Sequence, residues 1–131
     1  MKLSTKSRYG LRAVYCLAQN YGNQPVSLSK ISADTAITKP YLEKLLNLLK
    51  KQGIIQSTRG LSGGYYLAKS PKETNVGEVL RALEDNLVIA DCNTTCKSKC
   101  PNRFVFNKLY TEINKTLNSI SIEDMLKNEE E

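Results

Sequence analysis

TKPYLEKLLNLLKKQG at residues 38–53, running straight into IIQSTRGLSGGYYLA at residues 54–68, decides how this chain folds. Leu42, Leu45, Leu46 and Leu49 recur at i, i+3, i+4 and i+7, the spacing of a single buried helical stripe. Thr38 is placed to cap that helix. Pro40 falls in its first turn, where a missing N–H costs nothing, and Gly53 stops it after Lys50 and Lys51, whose charges suit the C-terminal dipole. Residues 54–58 and 65–68 are β-prone runs around the glycine-rich string Arg59-Gly60-Leu61-Ser62-Gly63-Gly64, which predicts a hairpin.

Upstream, residues 5–20 carry Leu11, Val14, Leu17 and Ala18 on one apolar face and read as a first helix, capped by Thr5 or Ser7. Tyr21 to Pro25 break it. Ser27 caps a short second helix with Leu28, Ile31 and Ser32, and Thr35-Ala36-Ile37 form a tight turn into the stretch quoted above. Downstream, Pro71 closes the hairpin segment and Thr74 or Asn75 caps a fourth helix through Val76, Val79, Leu80 and Leu83. Residues 86–100 lack helical periodicity. A longer helix with Phe106, Leu109, Ile113 and Leu117 runs from Pro101 to about Ser119, then a short one with Ile122, Met125 and Leu126, and residues 129–131 form a frayed tail. The expected class is mainly α with a small β-hairpin wing: a winged helix-turn-helix at residues 1–72, and at 73–131 a helix, a cysteine loop (91–101) and a long C-terminal helix, packed as one chain.

The chain has 131 residues and a net charge of +6. Residues 1–60 hold ten Lys/Arg against two acids, a balance of +8, whereas residues 61–91 stand at −2 and residues 92–131 at zero. A one-sided gradient of this kind fits a polyanionic partner touched by one part of the molecule. No apolar run approaches the ~20 residues that span a bilayer, and no apolar stretch follows the charged N-terminus as in a secretory signal, so a cytoplasmic location without membrane contact is expected. With no histidine and no paired carboxylates or nucleophile–base arrangement that stands out, the chain does not read as an enzyme and no small-molecule substrate is indicated.

In a winged helix-turn-helix the helix after the turn enters the major groove with its N-terminal residues nearest the base edges. Those residues are Thr38, Lys39, Pro40, Tyr41 and Lys44, with Glu43 able to accept from a cytosine amino group. Ser4, Lys6 and Arg8 suit phosphate contacts that set register. Arg59 and Gly60, on a narrow glycine-rich tip, suit entry into a minor groove. The glycine string is not a phosphate loop, because no Lys-Ser/Thr follows and a strand comes next. Double-stranded DNA is therefore the expected partner.

Four strings, Leu3-Ser4-Thr5-Lys6-Ser7-Arg8-Tyr9-Gly10, Tyr41-Leu42-Glu43-Lys44-Leu45-Leu46, Arg59 to Tyr65, and Val76-Gly77-Glu78-Val79, together resemble the Rrf2-type bacterial regulators, the family that includes IscR, NsrR and CymR. The resemblance runs over nearly the whole chain. It implies a homodimer held by the long C-terminal helix on a near-palindromic operator, with Tyr41, Glu43 and Lys44 reading bases and Arg59 reaching the minor groove.

Cys92, Cys96 and Cys100 lie in a C-x3-C-x3-C pattern. Three thiols within nine residues of loop can converge on one inorganic centre, and thiolates suit an iron–sulphur cluster or zinc, both of which usually take four ligands. Cys16, in the first helix, reads as a small buried apolar residue. IscR-like and NsrR-like members use three cysteines of this loop to hold a cluster, and Cys92, Cys96 and Cys100 match them in order; on that resemblance a [2Fe–2S] centre is preferred to [4Fe–4S]. The gaps here are shorter and no histidine is present, so the fourth ligand stays open among Asp91, a group of the partner subunit, and an exogenous thiol or water. A rival reading needs no cofactor: Cys100, beside a helix start and near Lys97, Lys99 and Arg103, is suited to thiol–disulfide switching. Regulation, as a repressor responding to iron–sulphur status, redox state or nitric oxide, is the leading function. The other classes are a small iron–sulphur or redox protein docking an acidic partner, and a winged helix used only for protein interaction.

Overall fold

The computed structural model describes residues 2–84, 87 and 100–128. Its elements are α1 (Thr5–Gln19), α2 (Leu28–Thr35), α3 (Lys39–Lys51), β1 (Ile55–Thr58), β2 (Gly64–Leu67), α4 (Val76–Leu83), α5 (Asn102–Ser119) and α6 (Ile122–Lys127), with a short 3-10 turn at Pro71–Glu73. This is a winged helix-turn-helix followed by three further helices, mainly α with one hairpin, as the periodicities predict.

The leucine stripe is the floor of the core. Leu42, Leu45, Leu46 and Leu49 are all fully buried, and meet Val14 and Leu17 of α1, Ile31 of α2, Ile55 and Leu67 of the hairpin, and Val79, Leu80 and Leu83 of α4 in one continuous cluster. Burying a side chain of this size contributes roughly 1.5–3 kcal/mol each, so the cluster specifies how these four helices cross. Gly53 follows α3 with φ +77°, the left-handed C′ residue expected there.

β1 and β2 pair antiparallel from Ile55↔Leu67 to Thr58↔Gly64. A contact outside the sequence reading widens this hairpin: Val26 exchanges two 2.8 Å backbone hydrogen bonds with Tyr65, so the segment ahead of α2 joins the β2 edge. Gly64 is small because a Cβ there would overlap the Val26 carbonyl.

Two boundaries differ from expectation, at the starts of α1 and α5, whereas the cap of α4 is one of the two residues expected there. Ser4, and neither Thr5 nor Ser7, caps α1, its hydroxyl accepting from Ser7 N–H at 3.3 Å; all three hydroxyls can cap, and tertiary contacts choose. Pro101 is the N-cap of α5, not its first residue. Asn75 caps α4 in a full capping box with Glu78, and a second box, Ser121 with Asp124, opens α6. These two helix starts are tied side by side, Val76 N–H donating to Ile120 O and Ile122 N–H to Thr74 O, both at 2.8 Å. Ile122 is thereby sunk into the core beneath α1. α5 lies on α4, where Arg81 Nη2 donates to Asn114 Oδ1 at 3.0 Å and Asn118 Oδ1 at 2.6 Å, yet it has no fully buried residue and leaves Phe104, Val105, Leu109 and Tyr110 exposed.

Candidate nucleic-acid interface

α3 buries its leucines on one side and turns Lys39, Pro40, Glu43 and Lys44 outward on the other. Thr38 is exposed at the N-cap position, and its hydroxyl makes no capping bond. Tyr41 is half-buried, held edge-on against the Tyr9 ring at 6.0 Å between centroids. Arg12 lies over the other ring of this pair, 5.2 Å from the Tyr9 centroid, while its Nη1 donates to Thr35 O at 3.0 Å. One arginine thus locks α1 to the end of α2, and through Tyr9 braces Tyr41 at the mouth of α3. The turn between α2 and α3 is closed by Ala36 in the left-handed region (φ 59°) and by the Ser32 hydroxyl donating to Ile37 O.

The wing projects from the far end of α3, tethered by Lys50 Nζ donating to Ser57 Oγ at 2.7 Å. At its tip Arg59 and Gly60 are exposed, beside a fully exposed Leu61. Gly60 has φ +107°, which an L-residue adopts only with strain, and its carbonyl accepts from Gly63 N–H at 3.0 Å. Among the described residues the ion pairs are Lys30–Asp34, Lys69–Glu78 and Lys127–Glu123; Lys39, Lys44 and Arg59 enter none of them. The positive charge of α3 and the wing is left for an external anion.

At the N-terminus the three predicted residues separate. Ser4 is occupied in capping α1. Lys6 is half-buried near Glu84. Arg8 is exposed, donates to Thr5 Oγ1 at 3.3 Å, and lines with Leu11, Ile120 and Met125 a groove of about 590 Å3 between α1 and α6. A residue that local reasoning missed governs this turn. Glu84, the C-cap of α4, accepts from Ser4 N–H at 2.7 Å and from the Ser7 hydroxyl at 2.6 Å through the same carboxylate oxygen. The hydrogen bonds from Ser4 and Ser7 hold its carboxyl below the usual range. A partner seventy-seven residues away in the chain leaves no local sequence signal.

Of the cysteines, Cys16 is buried as expected, with its thiol 3.8 Å from Asp34 Oδ2; burial and then the Asp34 carboxylate push that thiol up. Cys100 is half-buried at the foot of α5, where its carbonyl accepts from Arg103 N–H at 3.1 Å. Cys92, Cys96 and Asp91 lie outside the described residues. Three thiolates remain a donor set that fits an iron–sulphur cluster or zinc, one ligand short, and Cys16 does not supply the fourth, since its thiol is turned toward α2 inside the core.

A family description, "Rrf2: Iron-dependent Transcriptional regulator", matches residues 3–128. Protein rrf2 of Nitratidesulfovibrio vulgaris is 36% identical over 132 residues, covering 97% of this chain and 88% of the relative. Among solved structures, T. potens IscR superposes with a TM-score of 0.82 at 38% identity, covering 99% of this chain and 89% of the other. CymR, the global cysteine regulator of B. subtilis, superposes with a TM-score of 0.85 at 30% identity, covering 98% of each chain. Winged helix, exposed cationic α3 and wing, and this match over nearly the full length agree: the chain belongs to the Rrf2 family of DNA-binding transcriptional regulators, of the IscR and CymR type, and is not an enzyme.

Proposed function

We propose that this chain is a homodimeric repressor in the cytoplasm that reads a near-palindromic operator and senses iron–sulphur status, redox state or nitric oxide through Cys92, Cys96 and Cys100. The observation that carries the sensor reading is the C-x3-C-x3-C pattern ending at Cys100, next to the start of α5. On the DNA side Thr38, Pro40, Tyr41, Glu43 and Lys44 meet base edges, Arg59 and Gly60 enter the minor groove, and Ser4, Lys6 and Arg8 approach phosphates. A [2Fe–2S] cluster held by the three thiolates would supply a centre that oxidants, nitric oxide or iron shortage alter. The residues around it carry that state into the packing of α4 and α5, and so into the spacing of the two α3 helices. A ligand state can shift operator affinity only by as much as it distinguishes the two conformations.

The second reading is a thiol–disulfide switch without a cluster. It is favoured by the position of Cys100 beside the N-cap of α5 and by the likeness to a cysteine regulator. Anaerobic purification followed by visible absorption and by iron, sulphide and zinc analysis separates the two. Colour with equimolar iron and sulphide is expected. A colourless, metal-free protein whose thiols oxidise reversibly overturns the cluster in favour of the switch. Replacing Cys92, Cys96 and Cys100 together by Ala is expected to abolish the response to the signal, and a normal response in that variant sinks the sensor assignment altogether.

A further inference from the structure

We propose that Glu84 is a positioning residue for DNA binding: by clasping Ser4 and Ser7 it fixes the first turn of α1, from which Lys6 and Arg8 meet the phosphate backbone, and it ties that turn to the end of α4. The proposal rests on the phosphate-contact role given above to that turn.

Glu84 is badly placed for its own helix and for DNA. A carboxylate at the C-terminus of α4 faces the negative end of that helix dipole, and a negative charge close to Lys6 repels phosphate. Both costs are offset only by what the carboxylate touches. One oxygen receives the Ser4 N–H and the Ser7 hydroxyl, at the positive end of α1. Ser7 is fully buried, so its hydroxyl has no water to turn to, and the clasp replaces that lost solvation. The two helices come close enough for this because position 10 is glycine: a Cβ there would overlap the Leu83 side chain, which is itself buried. The first turn of α1 is therefore held by the C-cap residue of α4, and Cys92 follows Glu84 by eight positions in the chain.

Charge and positioning predict opposite signs, which makes the test sharp. The probe is a duplex selected by the wild-type protein from a random library, with affinity read by fluorescence anisotropy across a salt series. Glu84→Gln keeps an acceptor oxygen and loses the charge; it is expected to bind as tightly as wild type or more so. Glu84→Ala loses the acceptor; it is expected to bind about tenfold more weakly despite losing a repulsive charge, with a log–log salt dependence shallower by about one for each phosphate contact released. In the Glu84→Ala background, Lys6→Ala is expected to cost less than it does alone. Tighter binding by both Glu84 variants overturns the proposal, since Glu84 would then act by charge only. A lowered melting temperature with wild-type affinity and salt slope overturns it too, since the clasp would then be structural only. Should Glu84→Ala fail to fold, Ser7→Ala decides: it removes one donor without touching the charge, and unchanged affinity and slope in it overturn the proposal.

The link to α4 has its own readout. Replacing Cys92, Cys96 and Cys100 by Ala is expected to shift affinity less in Glu84→Ala than in wild type, and strict additivity overturns that link. If the cysteine replacements shift nothing in wild type either, the sensor reading fails while the salt slopes still decide the clasp.

Discussion

Arg59 enters no ion pair among the described residues and sits on a tip whose backbone only glycine holds without strain, so its guanidinium forfeits no such contact by entering a groove. Arg59→Ala is expected to weaken binding to a selected duplex by about 1–3 kcal/mol, with the midpoint of urea unfolding unchanged; equal affinity for the variant removes the wing from the interface. Glu84 makes a different kind of prediction, because it titrates. Its carboxyl lies below the usual range in the folded protein, so its contribution to stability is complete above the unfolded value and is lost as pH falls through the lower folded value. Wild type is therefore expected to be more stable than Glu84→Gln at neutral pH, by at most about 1 kcal/mol for so solvent-accessible a carboxylate, and the gap should close as the pH falls below the ordinary carboxylate range. Paired urea titrations check this, and a gap that is constant with pH contradicts it. These two residues also mark what a sequence discloses. Arg59 sits in a glycine string that announces a turn, whereas Glu84 looks like any helix-ending acid, and its partners are known only once α1 and α4 are packed. The same holds for Ser4: three hydroxyls stand at positions 4, 5 and 7, local preference cannot choose among them, and a distant carboxylate does.

Helices whose apolar residues recur at helical spacing were legible because burial on one face imposes a period that no tertiary contact can hide. The leucines of α3 and the valine–leucine stripe of α4 fall where the period puts them. Pairings between elements carry no such period. Val26 is a lone β-branched residue between Pro25 and the Ser27 cap, and its bonding to Tyr65 across the hairpin edge could be found only from the assembled fold. The two capping boxes are each visible as a pattern, Asn75-x-x-Glu78 and Ser121-x-x-Asp124, yet nothing in either says that they lie against one another. The cysteine pattern was legible as chemistry, and its geometry lies outside the described residues. At this scale α1 on α4 is a close joint. Gly10→Ala would drive a methyl group into the head of the buried Leu83, and overpacking of that kind costs about 1–3 kcal/mol. Equilibrium unfolding is expected to show that loss, together with weaker DNA binding, because the clasp at Glu84 sits one residue beyond Leu83. Asn75→Ala should cost about 0.5–2 kcal/mol through the lost cap, with DNA affinity of the folded protein retained. If both variants behave alike toward DNA, the α1–α4 joint has no special bearing on binding.

The whole molecule divides its labour by charge. Excess positive charge is confined to residues 1–60, which include α3 and lead into the wing, while α5 lies in a stretch of zero net charge. What α5 has instead is apolar surface: Phe104, Val105, Leu109 and Tyr110 are each more than two-fifths exposed on a helix that has no fully buried residue and rests on the core through the half-buried Leu117. In the homodimer proposed above such a face would be covered, and a two-fold axis through it would place two recognition helices on one side of a duplex, as the proposed near-palindromic operator requires. Leu109→Glu puts a charge into the middle of that face without touching α3, the wing or the first turn of α1. It is expected to leave the helical circular dichroism spectrum intact and to convert the protein from dimer to monomer by sedimentation velocity. DNA binding should then change in a characteristic way. Each subunit that neutralises Z phosphates contributes a slope of about −0.9Z to the dependence of log affinity on log salt, so the monomer should show about half the wild-type slope and lose discrimination between a palindromic duplex and its half-site. A variant that remains dimeric, or a monomer that keeps the full slope, would remove α5 as the element that sets two recognition helices on one operator.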